Sequence, residues 1–127
     1  MYEIWKNLAT CNIIESCTPE GWIIVDVRDL NDSKDNSVED IKMKIAIIAN
    51  LMASGQKIVV RCWAGMQRSN AMACAAMMFC STDHTWDHYW HIVEKKCPRA
   101  RQNLEFVDVV KKALEELGVD RKRLYYA

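Results

Sequence analysis

Two short runs of β-branched residues constrain the fold of this chain more than any other feature of its sequence. Residues 22–27 (WIIVDV) and 57–60 (KIVV) have the length and composition of buried strands. Between them, residues 37–53 carry apolar side chains at spacings of three and four. Ser37 can cap the helix that this spacing predicts, and Gly55 lies just past its end. A strand, a helix and a strand in this order favour a crossover with the two strands parallel. The sequence therefore predicts an α/β fold.

Three more helices are predicted after the second strand. Residues 70–80 are rich in Ala and Met and contain no helix breaker, which indicates a buried helix. Residues 85–96 and 103–117 each carry one apolar face. Elsewhere, we expect one short strand within residues 1–14, a turn at 15–21, a loop at 31–36 and a solvated tail at 121–123.

Length, charge and cysteine content narrow the class of protein. The 127 residues suit one domain, residues 1–127, and half of them are apolar, enough for a core. A formal charge of zero argues against a general nucleic-acid or anionic-membrane binder. The longest nearly apolar run, 71–80, is too short to span a membrane. The start lacks a signal-peptide pattern and the six cysteines form no Cys-x-x-Cys pair, so we expect free thiols and a cytoplasmic location.

The segment 58–69 (IVVRCWAGMQRS) carries the chemistry. A buried strand delivers Cys62 into a short loop, and the loop ends in Arg68 at the start of a helix. A loop of this length can turn its N–H groups inward, with Gly65 relieving the strain, and form an anion cradle that favours a thiolate. The Arg68 fork can hold two phosphate oxygens, and Ser69 can donate a hydrogen bond to the sulfur. We expect phosphate to be bound by Trp63, Ala64, Gly65, Met66, Gln67 and Arg68, with Trp63 exposed at the mouth of the pocket. This arrangement indicates covalent phosphoryl transfer without a metal or cofactor.

Residues 60–69 resemble the signature loop of the protein tyrosine phosphatases, specifically the small dual-specificity phosphatases. The helix at 37–53 with the strand after it, and the run 86–106 with its proline turn (CPRARQNLEF), are also similar to that family, so the resemblance covers about residues 22–117. It implies a central, mostly parallel sheet flanked by helices, with a shortened N-terminal part. It further implies a cysteine-based phosphatase acting on phosphorylated protein (Tyr, Ser or Thr), with a phosphorylated RNA end as a less expected substrate.

The resemblance also implies an Asp as general acid, on a loop about thirty residues before the nucleophile. Asp29 directly follows the first predicted strand and precedes Cys62 by 33 residues, so it fits best. Asp32 ranks second and Asp35 third, while Asp26 lies within the strand pattern and ranks last.

Two alternative functions remain open. The family usually has His immediately before the nucleophile, whereas this chain has Arg61. That departure is compatible with a catalytically weak, phosphate-binding pseudophosphatase. The run 25–28 (VDVR) before a Cys loop suggests an enzyme of the rhodanese or arsenate reductase type, although typical rhodanese loops are one residue shorter.

Two polar clusters are interpreted as surface features. His84, His88 and His91 share one face of a predicted helix, which we interpret as its solvent face and not as a metal site. The basic residues around Pro98 are interpreted as a solvated turn; they are Lys95, Lys96, Arg99 and Arg101.

Overall fold

A computed structural model describes residues 1–12, 20–63 and 67–125 of the chain. Its described strands are β1 (Tyr2–Trp5), β2 (Leu8–Asn12), β3 (Trp22–Asp26) and β4 (Lys57–Cys62). They form one sheet in the order β1-β2-β4-β3. Strand β1 is antiparallel to β2, whereas β2 and β3 each pair in parallel with β4, which lies between them. The predicted α/β fold with a mostly parallel sheet is therefore confirmed.

The described helices are α1 (Val38–Ala53), α2 (Gln67–Cys80), α3 (Trp86–Lys96), α4 (Leu104–Glu116) and α5 (Arg121–Tyr125). Three of them begin at a side chain that accepts hydrogen bonds from unpaired N–H groups of the first turn. These caps are Ser37 for α1, Thr85 for α3 and Asn103 for α4. No helix within the described ranges is long and apolar enough to cross a membrane.

Helix α2 lies at the centre of the main core. Every residue from Ser69 to Met78 is buried, because α2 packs against the sheet as well as against α1, α3 and α4. Small Ala side chains allow this close approach and flexible Met side chains fill the remaining gaps. The core also takes in one face of the sheet, including Leu8, Ile58 and Cys62. On the opposite face, a smaller cluster consists of Ala9, Cys11 and Val59 with Trp22 packed against it.

The N-terminal region differs from the prediction of one short strand. It forms two strands, β1 and β2, joined by a tight turn in which Asn7 adopts a φ of 66°. Asn tolerates this left-handed conformation better than most residues. The predicted turn at 15–21 lies mostly outside the described residues, as does Cys17; Cys62, Cys74, Cys80 and Cys97 are free thiols, as expected.

The prediction of a solvated tail at 121–123 is correct for the exposed side chains of Arg121 and Lys122 but wrong for Arg123 and for the backbone. These residues begin helix α5, in which Leu124 is buried. Arg123 donates hydrogen bonds to the carbonyl groups of Met78, Ser81 and His84. A run of three basic residues suggests solvation when considered alone, but a guanidinium can also satisfy carbonyl groups at the end of a helix.

Candidate active site

The candidate site lies where the carboxyl ends of three parallel strands meet. In register, Asn12 at the end of β2 pairs with Cys62 at the end of β4, and Asp26 at the end of β3 pairs with Arg61. Helix α2 begins five residues after Cys62, at Gln67. Ligands of open parallel sheets characteristically bind at this edge.

The sulfur of Cys62 is buried and lies beside two polar groups. Cys62 is 1% exposed, and its Sγ atom lies 3.2 Å from Ser69 Oγ and 3.3 Å from the carbonyl oxygen of Trp63. A thiol can donate to either oxygen, while a thiolate can accept a hydrogen bond from the Ser69 hydroxyl. Two predicted site residues, Cys62 and Ser69, are therefore in contact.

Arg68 joins the start of α2 to the loop that follows β3. Its Nη1 atom donates to the carbonyl oxygens of Arg28 at 3.1 Å and Leu30 at 2.6 Å. A guanidinium has five N–H donors, so Nε and Nη2 carry further N–H groups that are chemically able to contact an oxyanion. The loop that Arg68 holds is the one that carries the first predicted general acid, Asp29.

A cleft opens beside this loop. It has a volume of about 340 Å³ and is lined by Asp26, Arg28, Asp29 and Trp63. Trp63 is 52% exposed, which agrees with its expected position at the mouth of a pocket. Asp29 Oδ2 lies 2.9 Å from Lys44 Nζ, an ion pair between the loop and α1.

The second candidate acid, Asp32, lies against the first residue of α2. Asn103 Nδ2 donates to its carbonyl oxygen at 2.8 Å and to Oδ1 at 3.2 Å. The Gln67 side chain, with its amide nitrogen toward the carboxylate, donates to Oδ2 at 2.8 Å. Asp35 contributes backbone groups to the same loop, since its carbonyl accepts from Asn31 Nδ2 and its N–H donates to Ser33 Oγ.

Asp26, which ranks last among the candidate acids, forms ion pairs with two arginines. Its carboxylate accepts hydrogen bonds from the Arg28 side chain and N–H group and from Arg61 Nη2. Although partial burial acts in the opposite direction, these hydrogen bonds hold the pKa of Asp26 well below its usual range. Sequence reasoning missed this cluster; its signal is a pair of opposite charges at the ends of two neighbouring parallel strands.

Comparison with known proteins identifies the family. A family model for the catalytic domain of dual specificity phosphatases matches residues 8–115. The chain belongs to this family. The match favours the phosphatases over the rhodanese and arsenate reductase alternative. No curated protein sequence matches the chain.

Two solved structures of dual-specificity phosphatases share the fold. A mouse putative dual specificity phosphatase, complexed with zinc tungstate, has 19% sequence identity and a TM-score of 0.76, and the match covers 99% of this chain and 92% of that one. Human DUSP28 has 16% identity and a TM-score of 0.75, over 92% of this chain and 97% of that one. The predicted protein tyrosine phosphatase-like fold is confirmed.

Part of the signature loop of this member of the dual-specificity phosphatase family lies outside the described residues. The structure describes Trp63, Gln67 and Arg68, but not Ala64, Gly65 and Met66. The anion cradle therefore stays a prediction for those three residues. The ends of the loop, at Cys62 and Arg68, lie at the same edge of the sheet.

The side chains of the two polar clusters are exposed, and the basic turn begins at Cys97, whose Sγ atom lies 3.5 Å from Asn70 Nδ2 in the first turn of α2. His84 and His88 stack on each other with ring centroids 3.9 Å apart. On the basic turn, Arg101 Nη1 donates to the carbonyl oxygens of Pro98 and Ala100, while Lys95, Lys96 and Arg99 are exposed.

Proposed function

We propose that this dual-specificity phosphatase family member is a metal-independent enzyme that hydrolyses phosphate monoesters of phosphorylated proteins through a cysteinyl-phosphate. The observation that carries this proposal is the buried Cys62 sulfur, 3.2 Å from Ser69 Oγ at the carboxyl edge of the sheet. The mouse relative described as a complex with zinc tungstate adds support, because tungstate is a tetrahedral oxyanion like phosphate.

The reaction would proceed in two displacements at phosphorus. In the first, the Cys62 thiolate attacks in line, the S–P bond forms, and the P–O bond to the leaving group breaks as Asp29 gives that oxygen a proton. In the second, water attacks phosphorus, Asp29 takes a proton from the water, and the sulfur leaves as a thiolate. Arg68 and the N–H groups of residues 63–68 would contact the equatorial oxygens, and Ser69 would donate to the sulfur as it leaves.

Asp29 is proposed as the acid because it lines the cleft beside Trp63. Arg68 also helps to fix the position of Asp29, because its Nη1 atom donates to the carbonyl groups of the residues before and after Asp29. A residue that binds phosphate would therefore also hold the proton donor. Asp32 is the competing candidate, and it lies against Gln67 and Asn103.

The basic test is turnover of p-nitrophenyl phosphate in the presence of EDTA. We expect activity that vanadate inhibits and that Cys62→Ser abolishes, because serine is not ionised at neutral pH. The matched control is Cys80→Ser, which changes a cysteine at the far end of α2 and should leave activity intact. Full activity in Cys62→Ser would contradict the proposal. A panel of phosphopeptides and 5′-triphosphorylated RNA then tests the substrate class, and turnover of RNA alone would contradict a protein substrate.

The acid assignment has its own test. Asp29→Asn should lower kcat by about 10²-fold or more, the usual contribution of a positioned proton donor, with little change in vanadate affinity. Because p-nitrophenolate is a good leaving group, a phenyl phosphate with a less acidic phenol should show the larger effect. If Asp32→Asn has this signature and Asp29→Asn does not, Asp32 is the acid.

A phosphate-binding pseudophosphatase is the second candidate function, and one observation favours it. Arg61 stands where the family usually has a His that supports the signature loop, and its guanidinium donates to Asp26 instead. A protein of this kind would bind a phosphopeptide tightly and release no phosphate over hours. Phosphate release that depends on Cys62 would exclude it.

A further inference from the structure

Arg61 and Trp63, which flank Cys62 in the sequence, are linked by a series of contacts at the end of strand β3. Side chains alternate between the two faces of a strand, so Arg61 points away from the face that carries Cys62. Asp26 is the register partner of Arg61 across the parallel pair β3–β4, so the two side chains share a face. Arg61 Nη2 lies 3.0 Å from Asp26 Oδ2.

The same carboxylate also holds Arg28. Arg28 Nη2 lies 2.6 Å from Asp26 Oδ2, Arg28 Nε lies 2.9 Å from Oδ1, and the Arg28 N–H group donates to Oδ1 at 3.0 Å. The side chains of Asp26 and Arg28 are about one-third exposed, and that of Arg61 is 20% exposed. Because these contacts combine charge with several directed hydrogen bonds, they fix the Arg28 side chain more firmly than a single surface ion pair would.

Arg28 in turn lies over the ring of Trp63. Its Cζ atom is 5.3 Å from the ring centroid, within the range of a cation–π contact. The contacts therefore run from Arg61 through Asp26 and Arg28 to Trp63. Meanwhile Arg68 holds the backbone of the same loop through the Arg28 carbonyl. The loop that carries Asp29 is thus fixed from both sides.

We propose that Asp26 is a positioning residue of this phosphatase: by bridging Arg61 and Arg28, it fixes Trp63 and the Asp29 loop, which line the cleft beside the Cys62 loop. This inference rests on the proposed function, because it assigns the cleft to the reaction. Asp26 itself would touch neither the phosphate nor the leaving group. Its effect would pass through Arg28 to Trp63 and through the loop to Asp29.

The test compares Asp26→Asn with wild type in two independent measurements. Asp26→Asn should lower kcat/KM for p-nitrophenyl phosphate by about tenfold, mainly through kcat, as expected when a charged hydrogen-bond partner is lost. It should also increase acrylamide quenching of tryptophan fluorescence, because Trp63 loses its Arg28 cover. This increase should be absent in a Trp63→Phe background, which assigns it to Trp63 among the five tryptophans.

Two further comparisons separate a specific role from a general loss of stability. Glu115→Gln removes a carboxylate that pairs with Arg121 on the surface, and it should change neither measurement. The double variant of Asp26→Asn with Arg61→Gln should lose no more activity than Asp26→Asn alone, since the two residues act as one unit. If Asp26→Asn does not fold, Arg61→Gln, which leaves the Asp26–Arg28 pair in place, should show the same two changes with smaller amplitude.

Each outcome supports or overturns the inference. Unchanged kcat/KM, or unchanged quenching of Trp63, overturns it. If the wild-type protein has no phosphatase activity, the proposed function fails, and the quenching measurement still decides whether Asp26 controls Trp63. Quenching that increases in Asp26→Asn and not in Glu115→Gln then supports the positioning role in an inactive cleft.

Discussion

The contact between helix α5 and the end of helix α2 gives a prediction that is independent of the proposed chemistry. Arg123 Nε donates to the His84 carbonyl at 2.7 Å, and Nη1 donates to the Ser81 carbonyl at 3.1 Å. Nη2 donates to the Met78 carbonyl at 3.2 Å and to Ser81 Oγ at 3.0 Å. The last carbonyl groups of a helix lack partners within it and attract a positive charge. The Met78 carbonyl lies in the last turn of α2, and those of Ser81 and His84 lie in the loop that follows it. Arg123 should therefore stabilise the fold by joining α5 to the end of α2 and to this loop.

We expect Arg123→Met to lower the free energy of unfolding by about 2–3 kcal/mol. A hydrogen bond from a charged group contributes about 1.5–3 kcal/mol. The four bonds share one partly exposed guanidinium, and water can replace some of them. Together they should therefore contribute no more than about 3 kcal/mol, the upper value for one hydrogen bond from a charged group. Met keeps the apolar stem of the side chain, so the change isolates the loss of donors.

Urea denaturation followed by circular dichroism measures this effect. The matched control is Lys122→Met, which changes the preceding, exposed cation and should shift the free energy of unfolding by less than about 0.5 kcal/mol. Because the two ends of the 14-residue helix α2 lie about 20 Å apart, activity at low temperature should be unchanged in Arg123→Met. Equal stabilities for the two variants would refute the argument that Arg123 holds α5 to the end of α2 and the loop after it.

Three further predictions concern single contacts. Thr10→Val removes the buried hydrogen bond to Asn70 (2.8 Å) and should lower the free energy of unfolding, measured by urea denaturation, by about 1–3 kcal/mol. The control Thr82→Val changes an exposed threonine and should lower it by less than about 0.5 kcal/mol, and equal losses would contradict the prediction. Ser69→Ala should slow breakdown of the cysteinyl-phosphate about tenfold, because a hydrogen bond to a charged sulfur is worth about 1.5 kcal/mol. Stopped-flow measurements should show a larger burst followed by a slower steady state, and a burst of unchanged size would contradict the prediction. Because ion pairing lowers the pKa of Asp26, wild type should be more stable than Asp26→Asn by a constant free energy of unfolding above about pH 4, and this difference should shrink as the pH falls toward 2. A difference that stays constant in urea titrations from pH 6 to 2 would contradict the prediction.

Helices α1 to α4 and strands β3 and β4 could be predicted because local signals agreed with the fold. Apolar side chains at helical spacing in α1 and α4 face the core, and the capping residues Ser37, Thr85 and Asn103 all act as caps. The order of strand, helix and strand was enough to predict that β3 and β4 are parallel. The contact between Cys62 and Ser69 could also be anticipated, because a strand and a helix joined by a short loop bring these residues together.

One missed feature is a local turn without a Gly or Pro signal, and two depend on long-range geometry. The β1–β2 hairpin needs Asn7 in a left-handed conformation, and residues 1–14 contain no Gly or Pro that would mark a turn. The docking of Arg123 depends on three carbonyl groups at least 39 residues away in the chain. Asp26 meets Arg61 only because of the register between two strands, which 35 residues of sequence separate. For Arg123 and Asp26 the decisive partner lies outside the window in which periodicity and composition act.

The register at Asp26 also bears on whether the replacement of His by Arg61 must disable the site. Adjacent residues of a strand point to opposite faces, so the Arg61 guanidinium and the Cys62 sulfur lie on different sides of the sheet. Cys62 keeps its contact with Ser69 on the face that packs on α2, while Arg61 pairs with Asp26 on the other. The positive charge of Arg61 is paired with the Asp26 carboxylate, so Arg61 does not require the Cys62 thiolate as an ion-pair partner. Arg61 should therefore affect catalysis through the position of the Asp29 loop, and its replacement should change kcat while Cys62 remains reactive.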